Sequence, residues 1–223
     1  MRENASADSH RSQKKPSQGV GLIFPRFSRQ DIADDCLGRI IELAHPAPSE
    51  WNVQTWRWIV VRGDAAKKHL EAAASGQVPL SSAPVILICL ADTLAWKSAP
   101  QHLQEMIASR KITEEEGREI LHRLREYYSA SPDIAKRTAQ ANAIAAVHQI
   151  LLRAAECNLS AYWVTEFDEA RIKTHFHIPD HFLVAALLPL GYREDTPAPP
   201  ITKLPVRTFI YREKFGHTFS PVS

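Results

Sequence analysis

Apolar residues recur along the chain first at helical spacing and then in unbroken runs. In DIADDCLGRIIELA, Leu37, Ile40, Ile41 and Ala44 share one helical face, with Asp34 placed to act as N-cap. His45-Pro46 stops that helix, because the residue before a proline avoids the helical region. WRWIVV, aromatic and β-branched, predicts a strand at 56–61. A helix follows from Asp64 in DAAKKHLEAAASG, with Gly76 as its C′ residue. APVILICLAD is almost continuously apolar between turn signals, the pattern of a strand buried on both faces.

From about 97 to 131 the pattern becomes helical and charged. ITEEEGREILHRLREYY carries a capping box, Thr113 with Glu116, followed by Ile120, Leu121, Leu124 and Tyr128 at helical spacing. DIAKRTAQANAIAAVHQILLRAAECN predicts the longest helix, with small residues Ala141 and Ala145 suited to close packing of another helix or a second copy. LSAYWV predicts a short strand, DEARIKTHF a helix and FLVAALLPLGY another buried strand. A proline-rich and then aromatic segment, TPAPPITKLPVRTFIYREKFGHTF, closes the pattern. Alternating strands and helices with extra helices in the middle predict an α+β (α/β-like) class, a mixed sheet flanked by helices. Residues 1–20 are charged and Ser-rich and predict a flexible tail; 21–223 form one predicted domain, with 97–131 as a helical insertion.

Composition narrows the function classes. With 223 residues and 44% hydrophobic content, the chain can bury a core without disulfide staples. A net charge of +2 gives no basic field for nucleic acid, and no apolar run approaches the roughly twenty residues of a membrane span. The N-terminus lacks the apolar region of a signal peptide, so a cytoplasmic location is expected. Cys36, Cys89 and Cys157 are scattered and odd in number, and read as small buried hydrophobes in a reducing compartment.

The chemistry concentrates in APSEWNVQTWRWIVV. Ser49, Asn52 and Gln54 stand just before a strand, where donors can converge on the edge of a flat polar heterocycle and Trp51, Trp56 and Trp58 can cover its face. The same residues are equally suited to shaping a turn, with the tryptophans in the core. His175, His177 and His181 in HFHIPDH have unsuitable spacing for a shared metal on a helix, and read as a polar helix end with no metal. Tyr127 and Tyr128 are placed either to reach over a substrate pocket or to pack in the core. The Arg, Lys and Glu residues over 110–126 alternate in sign, as on a solvated helix surface.

Pro48-Ser49-x-x-Asn52-x-Gln54-x-Trp56 followed by RWIVV resembles the A-P-S-x-x-N-x-Q-P-W-x-F-x-V signature of the nitroreductase family, with Thr55 where proline usually stands. The likeness continues in order through SSAPVILICLAD, the long helix and following strand–helix–strand, and PPITKLP with the late Phe-Gly, covering about Phe27 to Gly216. The resemblance implies a homodimer with FMN at its interface and NAD(P)H as co-substrate. It implies hydride transfer through flavin N5 to a small electron-poor acceptor such as a nitroaromatic or a quinone, with no side-chain acid or base required. It places Pro48, Ser49, Asn52 and Gln54 along the flavin ring and ribityl chain, Thr165 and Glu166 where backbone N–H groups approach the ring edge near N5, and Lys203 at the phosphate. A glycine usually occupies the Thr165 position.

One element of the family pattern is absent. The Arg-Arg-Ser-x-Arg phosphate clamp is replaced by GLIFPRF, leaving Arg26 and Arg29 as the nearby guanidiniums able to bind a phosphate in its stead. The retained polar cluster favours the enzyme. The lost clamp favours the alternative of a weakly active or inactive relative that serves as a flavin or small-molecule binding module.

Overall fold

In a computed structural model of the protein, the described residues are Phe24, 26–76, 79–194 and 203–219. The expected tail over 1–20 lies outside them. The elements run α1 (Asp34–Ala44), β1 (Trp56–Val61), α2 (Asp64–Ala73), β2 (Val85–Asp92), α3 (Ala99–Ala108), α4 (Glu114–Ser129), α5 (Pro132–Glu156), β3 (Ser160–Ala161), α6 (Glu169–Phe176) and β4 (Phe182–Gly191). The strands form one sheet in the order β1-β2-β4-β3. The α+β class holds, and every described ladder is antiparallel, so the parallel pairing of a mixed sheet is not among them.

The apolar run of β2 divides by the two-residue strand period into two cores. Val85, Leu87, Cys89 and Ala91 pack with Trp56, Leu188 and Leu190 against α1 and α5. Ile86, Ile88 and Leu90 pack with Val61, Val184 and Leu187 against α2 and α6. Helices therefore cover both faces of the sheet, and β2 is buried on both as its composition requires. A third cluster joins Val53 to Ala99, Leu124 and Tyr128, tying α3 and α4 to the segment before β1.

Local signals were read with differing success. The α4 capping box forms: Thr113 N–H donates to Glu116 Oε2 at 2.7 Å, and Glu116 N–H donates to Thr113 Oγ1 at 3.2 Å. These bonds hold the Glu116 carboxyl below its ordinary range, so the box is intact at neutral pH and is lost as the pH falls through that lowered value. Asp34 is not the N-cap of α1. Ala33 occupies that position without a side-chain cap, and Asp34 lies in the first turn, 2.7 Å from Arg62, whose guanidinium also takes Asp31 at 2.7 Å. Gly76 is one place later than expected. Ser75 takes the left-handed position after α2 (φ 58°), and Gly76 N–H returns to Glu71 O at 2.9 Å.

The cysteines also divide. Cys89 is fully buried as expected, whereas Cys36 and Cys157 are only half-buried, because each sits at a helix end rather than inside the sheet.

Residues 26–28 run alongside 192–194, with Phe27 bridged to Arg193 and Ser28 N–H donating to Tyr192 O at 2.8 Å. Gly191 permits this close approach. A Cβ there would stand 2.6 Å from Phe27 Cδ1 and 2.7 Å from Pro84 Cδ. Gly191→Ala should therefore lower stability by about 1–3 kcal/mol, read as a fall in the urea midpoint without a change in slope. An unchanged midpoint would show that the two rings move aside freely.

Candidate functional site

The segment 48–55 is a strained, tightly anchored loop. Trp51 (φ 55°), Asn52 (φ 54°) and Gln54 (φ 47°) all occupy the left-handed region without being glycine. Each such residue costs on the order of 1–3 kcal/mol and persists only where its surroundings hold it. Four anchors do so. Ser49 Oγ accepts from Gln54 N–H at 3.1 Å, and Asn142 Oδ1 on α5 accepts from Glu50 N–H at 3.0 Å. The buried Thr55 donates its hydroxyl to Ala139 O at 2.8 Å, on the same helix. Arg57 Nη1 donates to Gln54 O at 2.9 Å and Trp56 O at 2.8 Å, while its Nη2 reaches Asp92 Oδ2 at 3.3 Å.

The turn and pocket readings of this loop thus apply to different residues. Ser49 helps to shape the turn by accepting from Gln54 N–H, which leaves its own O–H to donate. Asn52 is exposed, and its side chain makes no hydrogen bond among the described residues; Pro48 is exposed beside it. Gln54 is half-buried, its amide resting on Asn52 O at 3.4 Å.

The tryptophans do not act together. Trp56 and Trp58 belong to the α1/α5 core, and only Trp51 stays with the loop, half-buried beneath the Arg123 guanidinium at 5.6 Å. Tyr128 is core rather than lid. It stacks on Trp96 with ring centroids 5.4 Å apart and planes 3° from parallel, and burial, then the Glu50 carboxylate, push its phenol well above the ordinary range. It remains a neutral packing group under the loop.

Thr165 and Glu166 lie elsewhere. Val164 pairs with Leu187 on the outer side of β4, and the next two residues are exposed, with N–H groups that meet no acceptor among the described residues. The 48–55 loop enters β1 at the opposite edge. Three strand spacings of about 4.8 Å, roughly 14 Å across the sheet, therefore lie between the two groups within one chain, with a further offset along the strands. Helix α5 crosses between them, with Asn142 under the loop and His148 in edge contact with Trp163 at 5.2 Å.

The expected cations are exposed. Arg26 and Arg29 form no ion pair among the described residues, and the Arg26 carbonyl accepts from Glu194 N–H at 3.0 Å. Lys203 opens the segment 203–219, whose described hydrogen bonds are internal and whose Leu204, Val206, Phe209 and Phe215 are 63–88% exposed. The histidines serve local packing: His175 stacks on His69 at 3.7 Å, His177 closes α6 in the left-handed region, and His181 rests on Phe182 at 4.3 Å. Among the described residues no group of three His, Cys, Asp or Glu is arranged to hold a metal, and no helix is long and apolar enough to cross a membrane.

Arg57 and Asn142 were not singled out by their sequence context, and Thr55 was noted only for standing where the family signature has proline. For Asn142 a signal existed: Thr138 and Asn142 stand four apart on the buried face of an otherwise apolar stretch of α5.

Comparison with known proteins agrees with this fold. The chain is 30% identical over 167 residues to an NADH dehydrogenase of Thermus thermophilus, spanning 75% of this chain and 80% of that one. It is 25% identical over 175 residues to YodC of Bacillus subtilis, which carries the name NAD(P)H nitroreductase, spanning 78% and 86%. A structure from Exiguobacterium sibiricum, solved in complex with FMN, superposes with a TM-score of 0.76 at 19% identity over 86% of this chain and 93% of that one, a likeness of fold. The profile of the nitroreductase family matches residues 26–192. With a loop built on the family's signature, a matching fold and a match over most of its length, the chain belongs to the nitroreductase family.

Proposed function

We propose that the protein is an FMN-dependent NAD(P)H oxidoreductase that delivers a hydride to a small electron-poor acceptor, and that it works as a homodimer. The carrying observation is the 48–55 loop, whose three left-handed residues are held by Ser49, Thr55, Arg57 and Asn142 so that Asn52 faces outward. A loop held this rigidly suits recognition of a ring edge by hydrogen bonds.

The donors fit FMN in kind. Pro48 offers an apolar contact, Ser49 a hydroxyl donor, and Asn52 and Gln54 amide groups to the ring and ribityl chain. Thr165 and Glu166 offer backbone N–H groups that meet no acceptor among the described residues, and Lys203, Arg26 and Arg29 offer cations to a phosphate. Bound FMN supplies the two-electron chemistry between NAD(P)H and the acceptor. The protein's part is to orient the ring, to place N–H dipoles beside it and to neutralise the phosphate.

Two observations support the dimer. The loop and the Thr165–Glu166 edge stand on opposite sides of one sheet, so a second copy would bring one of each together. The exposed Leu204, Val206, Phe209 and Phe215 of segment 203–219 and the exposed Ala141 and Leu152 of α5 leave apolar surface for that copy to cover. We read the helices over 97–131 as an insertion that braces the loop from below through Leu124 and Tyr128.

The test is the visible spectrum of the purified protein before and after anaerobic NADH or NADPH, with its mass by sedimentation. Oxidised-flavin bands that bleach on reduction, in a particle of twice the 25.1 kDa chain, are expected. A protein that stays colourless after incubation with excess FMN would favour the second reading, a small-molecule binding module, which the missing arginine clamp supports.

A further inference from the structure

Arg123 of α4 lays its guanidinium over the Trp51 ring, 5.6 Å from the ring centroid. Trp51 is half-buried against the cluster of Val53, Leu124 and Tyr128, and its indole nitrogen is buried without a partner among the described residues. The ring is thereby seated, and the exposed guanidinium rests on it. Helix chemistry alone favours another arrangement. Glu119, four residues before Arg123, has the spacing and order that suit an ion pair on a helix surface. Arg123 nevertheless forms no ion pair among the described residues, neither with Glu119 nor with Glu50 beside Trp51, and Glu126 lies 3.5 Å from His122 instead.

The other guanidinium at the loop, that of Arg57, is engaged with Gln54 O, Trp56 O and Asp92. Arg123 donates no hydrogen bond among the described residues, and stacking on an indole leaves its planar fork of N–H groups free for an oxyanion. Asn52, next to Trp51, is exposed, and Tyr127, one turn along α4 from Arg123, is half-buried in the same cluster.

We propose that Arg123 is a specificity-determining residue that binds a carboxylate carried by the electron-poor acceptor, with Trp51 holding the guanidinium in place and Tyr127 supplying aromatic surface beside it. This rests on the reading of the 48–55 loop as the edge of the flavin site. A small acceptor keeps its charged group within about a ring's width of the reacting atoms, as Arg123 requires from beside Asn52. The phosphates of NAD(P)H lie beyond a ribose from its nicotinamide.

The experiment compares kcat/KM for 4-nitrobenzoate with that for the neutral 4-nitrobenzamide at saturating NADH or NADPH. In Arg123→Gln the benzoate-to-benzamide ratio should fall about tenfold, through KM. Arg125→Gln, an exposed cation turned to another face of α4, should keep the parent ratio. A merely structural role for Arg123 would lower both activities and leave the ratio alone. An unchanged ratio, an equal fall in Arg125→Gln, or a rise confined to the KM for NAD(P)H would each overturn the proposal. A colourless protein would sink the oxidoreductase reading but not this one, which calorimetric titration with 4-nitrobenzoate then decides. Binding by the parent that Arg123→Gln loses supports it; equal binding, or none by the parent, overturns it.

Discussion

Leu187→Ala lowers the thermal midpoint by about 10 °C. Leu187 is fully buried in the core between the sheet and helices α2 and α6, and its backbone holds Val164 through two hydrogen bonds, of 2.9 and 3.0 Å. Truncation leaves those backbone bonds possible and removes the side chain from a closed interior. The lost transfer energy and the residual cavity together cost about 3–4 kcal/mol. For a chain of this size each kcal/mol shifts the midpoint by roughly 2–4 °C. Leu43→Ala is the matched control: Leu43 is 41% exposed on α1, and its loss should change stability by about 0.5 kcal/mol or less. Calorimetry on the two variants decides. Equal midpoints would mean that the α2/α6 face of the sheet is not a packed core.

The second large effect falls on binding. Arg57→Ala weakens flavin binding at least tenfold while leaving most of the stability in place. One guanidinium spans Gln54 O, Trp56 O and Asp92, and so holds Gln54 in its left-handed conformation at the start of β1. The Arg57 side chain is half exposed, so its ion pair with Asp92 contributes little to stability. Its geometric role is larger, because without it Gln54 can relax toward the unstrained conformations that most residues adopt. Arg57→Lys should recover only part of the affinity, since a single ammonium lacks the planar fork that reaches two carbonyls and a carboxylate at once. FMN titration by fluorescence quenching, paired with a melting curve, separates the two effects. Loss of affinity in proportion to stability would make Arg57 an ordinary structural residue, and unchanged affinity would remove it from the site.

Much of the fold was legible because it rests on short-range rules. The capping box of α4 involves residues three apart, and α1 ends just before Pro46 as expected, although His45 itself keeps helical angles (φ −56°, ψ −35°) rather than avoiding them. The double-sided burial of β2 follows from an apolar run with no polar alternation. The misreadings arose where a distant partner outbid the local preference. Asp34 would suit an N-cap, but Arg62, at the end of β1, draws its carboxylate to 2.7 Å. Three neighbouring tryptophans look alike in the loop sequence, yet the strand period turns Trp56 and Trp58 into the core and leaves Trp51 outside β1.

By itself, the sequence determined the order of the elements, the class of the fold, and the polar loop before β1 with its family signature, because periodicity and turn chemistry are written in neighbouring residues. The tertiary structure alone decided that Asn142 and Arg57 hold that loop, and that the Thr165–Glu166 edge stands across the sheet from it. Those relations depend on which faces pack together. Burial of both faces of β2 selects that packing over the whole chain at once, beyond the reach of any local window.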